Sequence, residues 1–374
     1  MQFILLSAAL AFLITFFAIP VIIQVAKDKK LFDEPDERKV HKNVIPTLGG
    51  LGIFAGFIIA TLMGVPSGTT SELQYFVAAA TVIFFLGIKD DILILSASKK
   101  FIGQLIAAGI IIKFGGVQIN NMYGFLGIHE LPYAASIVLS IFTIIVITNS
   151  FNLIDGVDGL ASSLGLLTTL VFGIYFFYAG KITYAVMAFA LSGSTIGFLL
   201  YNYSPAKIFM GDTGSLLLGL VNSILVIKFI NVAGDITSSF PLEAAPGIGF
   251  AILMIPLFDT LRVFGHRILN RRSPFSPDRT HVHHFMLDLG FSHRMITITC
   301  VVTNIGFIAL AYFLRYLGTT TVIGILLFTG LVFISAIYYS RPKSKTSVNN
   351  SLSNAGLIKS RKVLKLASEA IEAD

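Results

Sequence analysis

The stretch NYSPAKIFMGDTGSLLLGLVNSILVIKFI, residues 202–230, runs from a polar connection holding Lys207, through the cluster Gly211–Ser215, into an apolar run over 213–230. About 20 apolar residues carry a helix across a bilayer, so the run reads as a membrane span and the cluster as its mouth. The alternation extends in both directions. Further apolar runs lie at about 2–23, 45–64, 74–89, 101–113, 132–149, 160–179, 182–201, 246–265, 295–314 and 320–339, giving about eleven spans. Hydrophobic residues make up 55% of the 374-residue chain and charged residues 13%, with a mean hydropathy of +0.83. That balance excludes an ordinary soluble core. The expectation is an all-α, polytopic integral membrane protein, with residues 1–340 as a single transmembrane domain and 341–374 as a polar to amphipathic cytoplasmic tail.

Charge gives the orientation. Of 27 Lys and Arg residues, all but Lys113, Lys181, Lys228 and Arg315 fall in alternate connections, about 24–44, 89–100, 202–211 and 262–294, and in the tail. Positive charge marks the cytoplasmic side, which places the N-terminus outside and the C-terminus inside. The net charge of +7 is then topogenic, beside the lipid bilayer, and does not imply nucleic acid. Met1–Pro20 has no basic leading segment and reads as an uncleaved first helix. The lone Cys300 excludes a disulfide or cysteine-metal framework.

The same connections hold the polar clusters. Asp90 and Asp91 end the third run, followed by Lys99 and Lys100. Neighbours on a helix point about 100° apart, so the two carboxylates take different parts, either as caps in water or as functional acids at membrane depth. Asn149, Asn152, Asp155 and Asp158 recur every three residues in NSFNLIDGVDGLA; they form a polar stripe facing a cavity, unless Asp158 is an N-cap. Asp212 stands in GDTGS at a helix start, where free N–H groups suit phosphate. A carboxylate there calls for a bridging cation, which suggests Mg²⁺ with a diphosphate. Residues 271–294 add Arg271, Arg272, Arg279, His281, His283 and His284. His-x-His-His permits zinc, but the arginines favour an anion. In the first connection, Arg38, Lys39, His41 and Lys42 mix with four acids before the Pro46–Gly50 run, which suggests close packing or close ligand approach.

In order along residues 1–340, DERKVHKNVIPTLGG, KDD with KKFIGQ, NSFNLIDGVDGLA, PAKIFMGDTGS and SPFSPDRTHVHH resemble the motifs of the polyprenyl-phosphate N-acetylhexosamine-1-phosphate transferases, and within them the WecA/TagO type. The resemblance implies transfer of N-acetylglucosamine 1-phosphate from UDP-N-acetylglucosamine to undecaprenyl phosphate with release of UMP, at the cytoplasmic face of a bacterial inner membrane. It implies Mg²⁺, with Mn²⁺ as an alternative, and Asp212 as the metal ligand. Asp90 resembles the residue that takes or orients the proton of the lipid phosphate, with Asp91 beside it. Asp158 looks like the uridine contact, Phe209 the aromatic under uracil, and Lys100 a phosphate contact. Asn152 and Asp155 line the cleft. His281, His283, His284 and Arg279 resemble the element that grips the sugar diphosphate, and Lys42 joins the substrate contacts. The peptidoglycan branch, the MraY type, carries Lys where Ile94 stands and lacks the SPFSPDR prefix. An ion-coupled transporter would place acids near mid-span and show an inverted repeat; here the acids of the polar clusters sit at one interface and no repeat is seen. A homodimer is left open.

Overall fold

The computed structural model describes residues 2–29, 45–66, 72–93, 95–271 and 281–341. All eleven apolar runs are helical there. Among the described residues, seven helices are long and apolar enough to cross a membrane: α1 (Gln2–Asp28), α5 (Tyr133–Ile154), α6 (Leu160–Tyr178), α7 (Ile182–Asn202), α8 (Gly211–Gly234), α12 (His293–Leu314) and α13 (Thr319–Ser340). An eighth span results if α9 (Ala245–Ile252) and α10 (Met254–Leu269), bent by 87°, are taken together. The other three runs form α2 (Gly49–Gly64), α3 (Leu73–Leu93) and α4 (Ala97–Lys113), and the short α11 (Val282–Asp288) follows α10. One addition to the all-α expectation is a small antiparallel hairpin, β1 (Asn121–Phe125) with β2 (Ile128–Glu130).

A helix apolar on every side needs an apolar solvent, and this chain supplies two. Around α8, whose apolar window is 83% buried, other helices provide it, α5 and α3 foremost. Only 22% of the same window is buried in α1 and in α13, whose outer faces show Phe17 and Phe328. Those faces are dressed for lipid. Near the site the backbones approach closely at Gly50, where a Cβ would stand 2.2 Å from the Gly214 backbone nitrogen. The Pro46–Gly50 run therefore packs against the start of α8.

The two ends of the bundle differ. At one end the hairpin is fastened by the Tyr123 hydroxyl donating to Asn231 O (3.2 Å) and by the Thr319 hydroxyl donating to Tyr123 O (2.8 Å). The other end gathers the last turn of α3, the first of α4, the last of α5 and the first of α8. The break between α9 and α10 is closed by buried Asn304 of α12, which accepts from Ile255 N–H at 3.0 Å and donates to Ile252 O at 2.9 Å. Backbone groups inside a membrane need such partners.

Candidate active site

The site begins with the first turn of α8. Asp212 accepts from Lys100 Nζ at Oδ2 (2.7 Å) and from Asn152 Nδ2 at Oδ1 (2.9 Å), while Asn152 also donates to Ser215 Oγ (3.1 Å). Lys100 pairs as well with Asp90, which accepts from Leu95 N–H at 2.5 Å. One ammonium thus joins two carboxylates from α3 and α8. Asp90 is only 8% exposed, so pairing offsets the desolvation of its charge.

Asp91 faces another way. Its carboxylate accepts from Asp212 N–H (2.6 Å), Thr213 N–H (3.1 Å) and the Thr213 hydroxyl (2.6 Å). It caps α8 from a different helix and lies on the positive end of that helix dipole. The expectation that this helix start is open to phosphate is corrected here: a protein carboxylate already holds its first N–H groups. The adjacent aspartates do part company, as their 100° offset requires.

The three-residue stripe holds only to the end of α5 at Ile154, because Asp155 is its C-cap at ψ 47°. Its members reach different partners. Asn149 exchanges hydrogen bonds with Gln104 of α4 (2.7 and 3.3 Å), and Asn152 holds Asp212. Burial, with the charges of Asp212, Asp91 and Asp158 around it, pushes the Asp155 carboxyl well above the usual range. Asp158 accepts from Ala206 N–H (3.1 Å) and lies 3.3 Å from His293 Nδ1, tying the start of α6 to the 202–210 connection and to α12.

The histidine element closes one side. His281 Nδ1 is 2.8 Å from Asp259 Oδ2, and Asp259 Oδ1 accepts from Val282 N–H (3.1 Å) and from Arg262 (2.8 Å). His283, 2% exposed, rests on the backbone of Gly156, where a Cβ would stand 2.5 Å from its Nε2; only glycine permits this approach. Burial, then the neighbouring His284, pushes the His283 imidazole down to about 3. The His283 and His284 rings are 4.3 Å apart. Among the described residues no three His, Cys, Asp or Glu are arranged to hold a metal ion, and the zinc reading finds no cage. Phe209 is half-buried, fixed by its N–H donating to Pro46 O (2.7 Å). Lys42 and Arg279 lie outside the described residues.

The sequence shows Gln104 and Ser215 only as members of the KKFIGQ and GDTGS motifs, without a role of their own, and Asp259 and His293 were passed over. Asp259 had a signal, an acid inside the apolar run 246–265. The signal for Gln104 and Ser215 was membership of those motifs and helical spacing from Lys100 and Asp212.

This is a multi-pass membrane protein with a charged site at one end of its bundle, and residues 73–230 match the family described as glycosyl transferase family 4. The chain belongs to that family, in its polyprenyl-phosphate N-acetylglucosamine-1-phosphate transferase branch. It is 36% identical over 295 residues, 77% of this chain and 78% of the relative, to the "Probable undecaprenyl-phosphate N-acetylglucosaminyl 1-phosphate transferase" of Bacillus subtilis (strain 168). The decaprenyl-phosphate N-acetylglucosaminephosphotransferase of Mycobacterium tuberculosis (strain ATCC 25618 / H37Rv) is 34% identical over 313 residues, 77% of this chain and 76% of that one. The undecaprenyl-phosphate alpha-N-acetylglucosaminyl 1-phosphate transferase of Escherichia coli (strain K12) is 28% identical over 296 residues, 76% of this chain and 78% of that protein.

Proposed function

We infer that this protein transfers N-acetylglucosamine 1-phosphate from UDP-N-acetylglucosamine to undecaprenyl phosphate, at the cytoplasmic face of a bacterial inner membrane. An oxygen of the lipid phosphate forms a bond to the sugar-bearing phosphorus. The bond from that phosphorus to the bridging oxygen breaks, and UMP leaves with the electron pair. The product is the lipid-linked diphosphosugar that primes envelope polysaccharide synthesis. The observation that carries the reading is the Lys100 ammonium set between Asp90 and Asp212, with Asn152 holding Asp212, four side chains from four helices.

Phosphoryl transfer is mostly positioning and charge stabilisation. Lys100 is placed to meet phosphate oxygens, and Asp90 beside it to orient the acceptor. Asn152 holds the Asp212 carboxylate in one rotamer. The donor set fits Mg²⁺, and equally Mn²⁺: the hard carboxylate oxygens of Asp212 suit an ion that takes one or two carboxylates and the substrate's phosphates. Asp212 would hold it, with Asp155 nearby, and the ion would neutralise charge on the diphosphate. The bias of Lys and Arg supports a cytoplasmic mouth, where a water-soluble nucleotide and a membrane lipid can meet. In purified protein with undecaprenyl phosphate, UDP-N-acetylglucosamine should release UMP and UDP-MurNAc-pentapeptide should not. The reverse preference would place the chain in the peptidoglycan branch.

A further inference from the structure

We propose that Asp259 is a positioning residue for this reaction, orienting His281 through Nδ1 so that Nε2 is the nitrogen kept for the diphosphate. The proposal rests on the transferase reading for what Nε2 meets, and on geometry alone for how the ring is held.

Asp259 lies within an apolar run of α10 and is 2% exposed, a position where a carboxylate is unfavourable without partners. Its two oxygens have separate duties. Oδ1 accepts from Arg262 at 2.8 Å and from Val282 N–H at 3.1 Å, which fixes the helix it stands on and the backbone at the start of α11. Oδ2 is given to the imidazole of His281, at 2.8 Å. A scaffolding role is complete with Oδ1. The Oδ2 contact adds only the orientation of a ring.

A carboxylate accepts and does not donate, so the proton of this contact sits on Nδ1. Nε2 is then the acceptor of a neutral ring or the second donor of a charged one, and in either state it is the nitrogen left for a ligand. The ring lies within 5° of parallel to His283, at 5.8 Å between centroids, and His283 rests on Gly156 between Asp155 and Asp158. His281 therefore belongs to the wall that carries the polar stripe. The carboxylate behind it is itself held at the first turns of α10, just beyond the break that Asn304 closes. The arrangement follows the general rule that a functional histidine takes its tautomer from the partner of its other nitrogen.

The test combines a mutant cycle with ¹⁵N-histidine NMR of the purified full-length protein, the His281 signals being assigned by their loss in His281→Ala. Asp259→Asn should lower kcat on the order of 10–100-fold, as when the carboxylate behind a ligating histidine is removed, and Asp259→Glu should restore part of it. In a His281→Ala background, Asp259→Asn should cause no further loss. Losses that multiply in the double variant would overturn the proposal, because Asp259 would then act by another route. In the wild type the His281 Nδ1 should be protonated, and Asp259→Asn should shift the tautomer balance. An unprotonated Nδ1 in the wild type would overturn it even if Asp259→Asn fails to fold. A wild type inactive with UDP-N-acetylglucosamine would sink the transferase reading alone, since the NMR result still decides how the ring is held.

Discussion

Lys100 and Asp212 are 112 residues apart in the chain, and their Nζ and Oδ2 atoms are 2.7 Å apart at the mouth of the bundle. The contact joins the first turn of α4 to the first turn of α8, and Asp90 shares the same ammonium. Asp212→Asn should reduce turnover by at least about 10²-fold, comparable to removing a main electrostatic stabiliser, while the protein still inserts. Turnover near wild type at low Mg²⁺ would refute the proposed part for Asp212.

Asp91 should act through stability as much as through rate. It supplies the acceptor for two N–H groups and one hydroxyl at the start of α8, and loss of a helix cap costs about 1–2 kcal/mol. Asp91→Ala should lower the midpoint of thermal unfolding in detergent, and Asp91→Asn, which keeps one acceptor oxygen, should lower it less. Equal midpoints for all three proteins would refute the capping role.

Acid should weaken the protein through His283. Its folded value, pushed down to about 3 by burial, lies below the unfolded value of about 6.5. The unfolded chain therefore binds the proton first on acidification. The stabilisation is whole above pH ~6.5 and is lost as pH falls towards ~3, by up to ~1.4 kcal/mol per unit. In His283→Asn this slope should disappear, and denaturant midpoints measured between pH 6.5 and 4.5 will show whether it does.

Topology can be read by labelling single cysteines in a Cys300→Ala background. Asn120, Gly180 and Asp235 are exposed, in connections poor in Lys and Arg, and should react from outside; Ser98, also exposed, should react only from inside. Outside labelling at position 98 would turn the site to the other face.

Much of this was legible in the sequence because bilayer spans are written in composition. Each apolar run became a helix, and the alternation of Lys and Arg anticipated which helix ends share a face. Helix lengths were less legible: α2 stops at Gly64 after 16 residues, and the break at Leu253 is marked in its apolar run by Pro256, in the first turn of α10. The site was legible as residues but not as partners. Asp90 and Asp91 are equivalent in sequence, and only the approach of α8 separates them. The stripe from Asn149 to Asp158 assumed a helix that ends at Ile154. Asp259 was passed over because it stands alone, and its meaning comes from a histidine 22 residues on.

The cap that Asp91 places on α8 also has a genetic consequence. A screen that scores only loss of the lipid-linked product would put Asp90 and Asp91 in one class. A screen for second-site suppressors would separate them, since a lost cap can be relieved by any change that gives the first turn of α8 a new acceptor. No such change replaces a carboxylate at the ammonium of Lys100. Two neighbouring letters of the gene product would then show different repair spectra, one mechanical and broad, the other chemical and narrow.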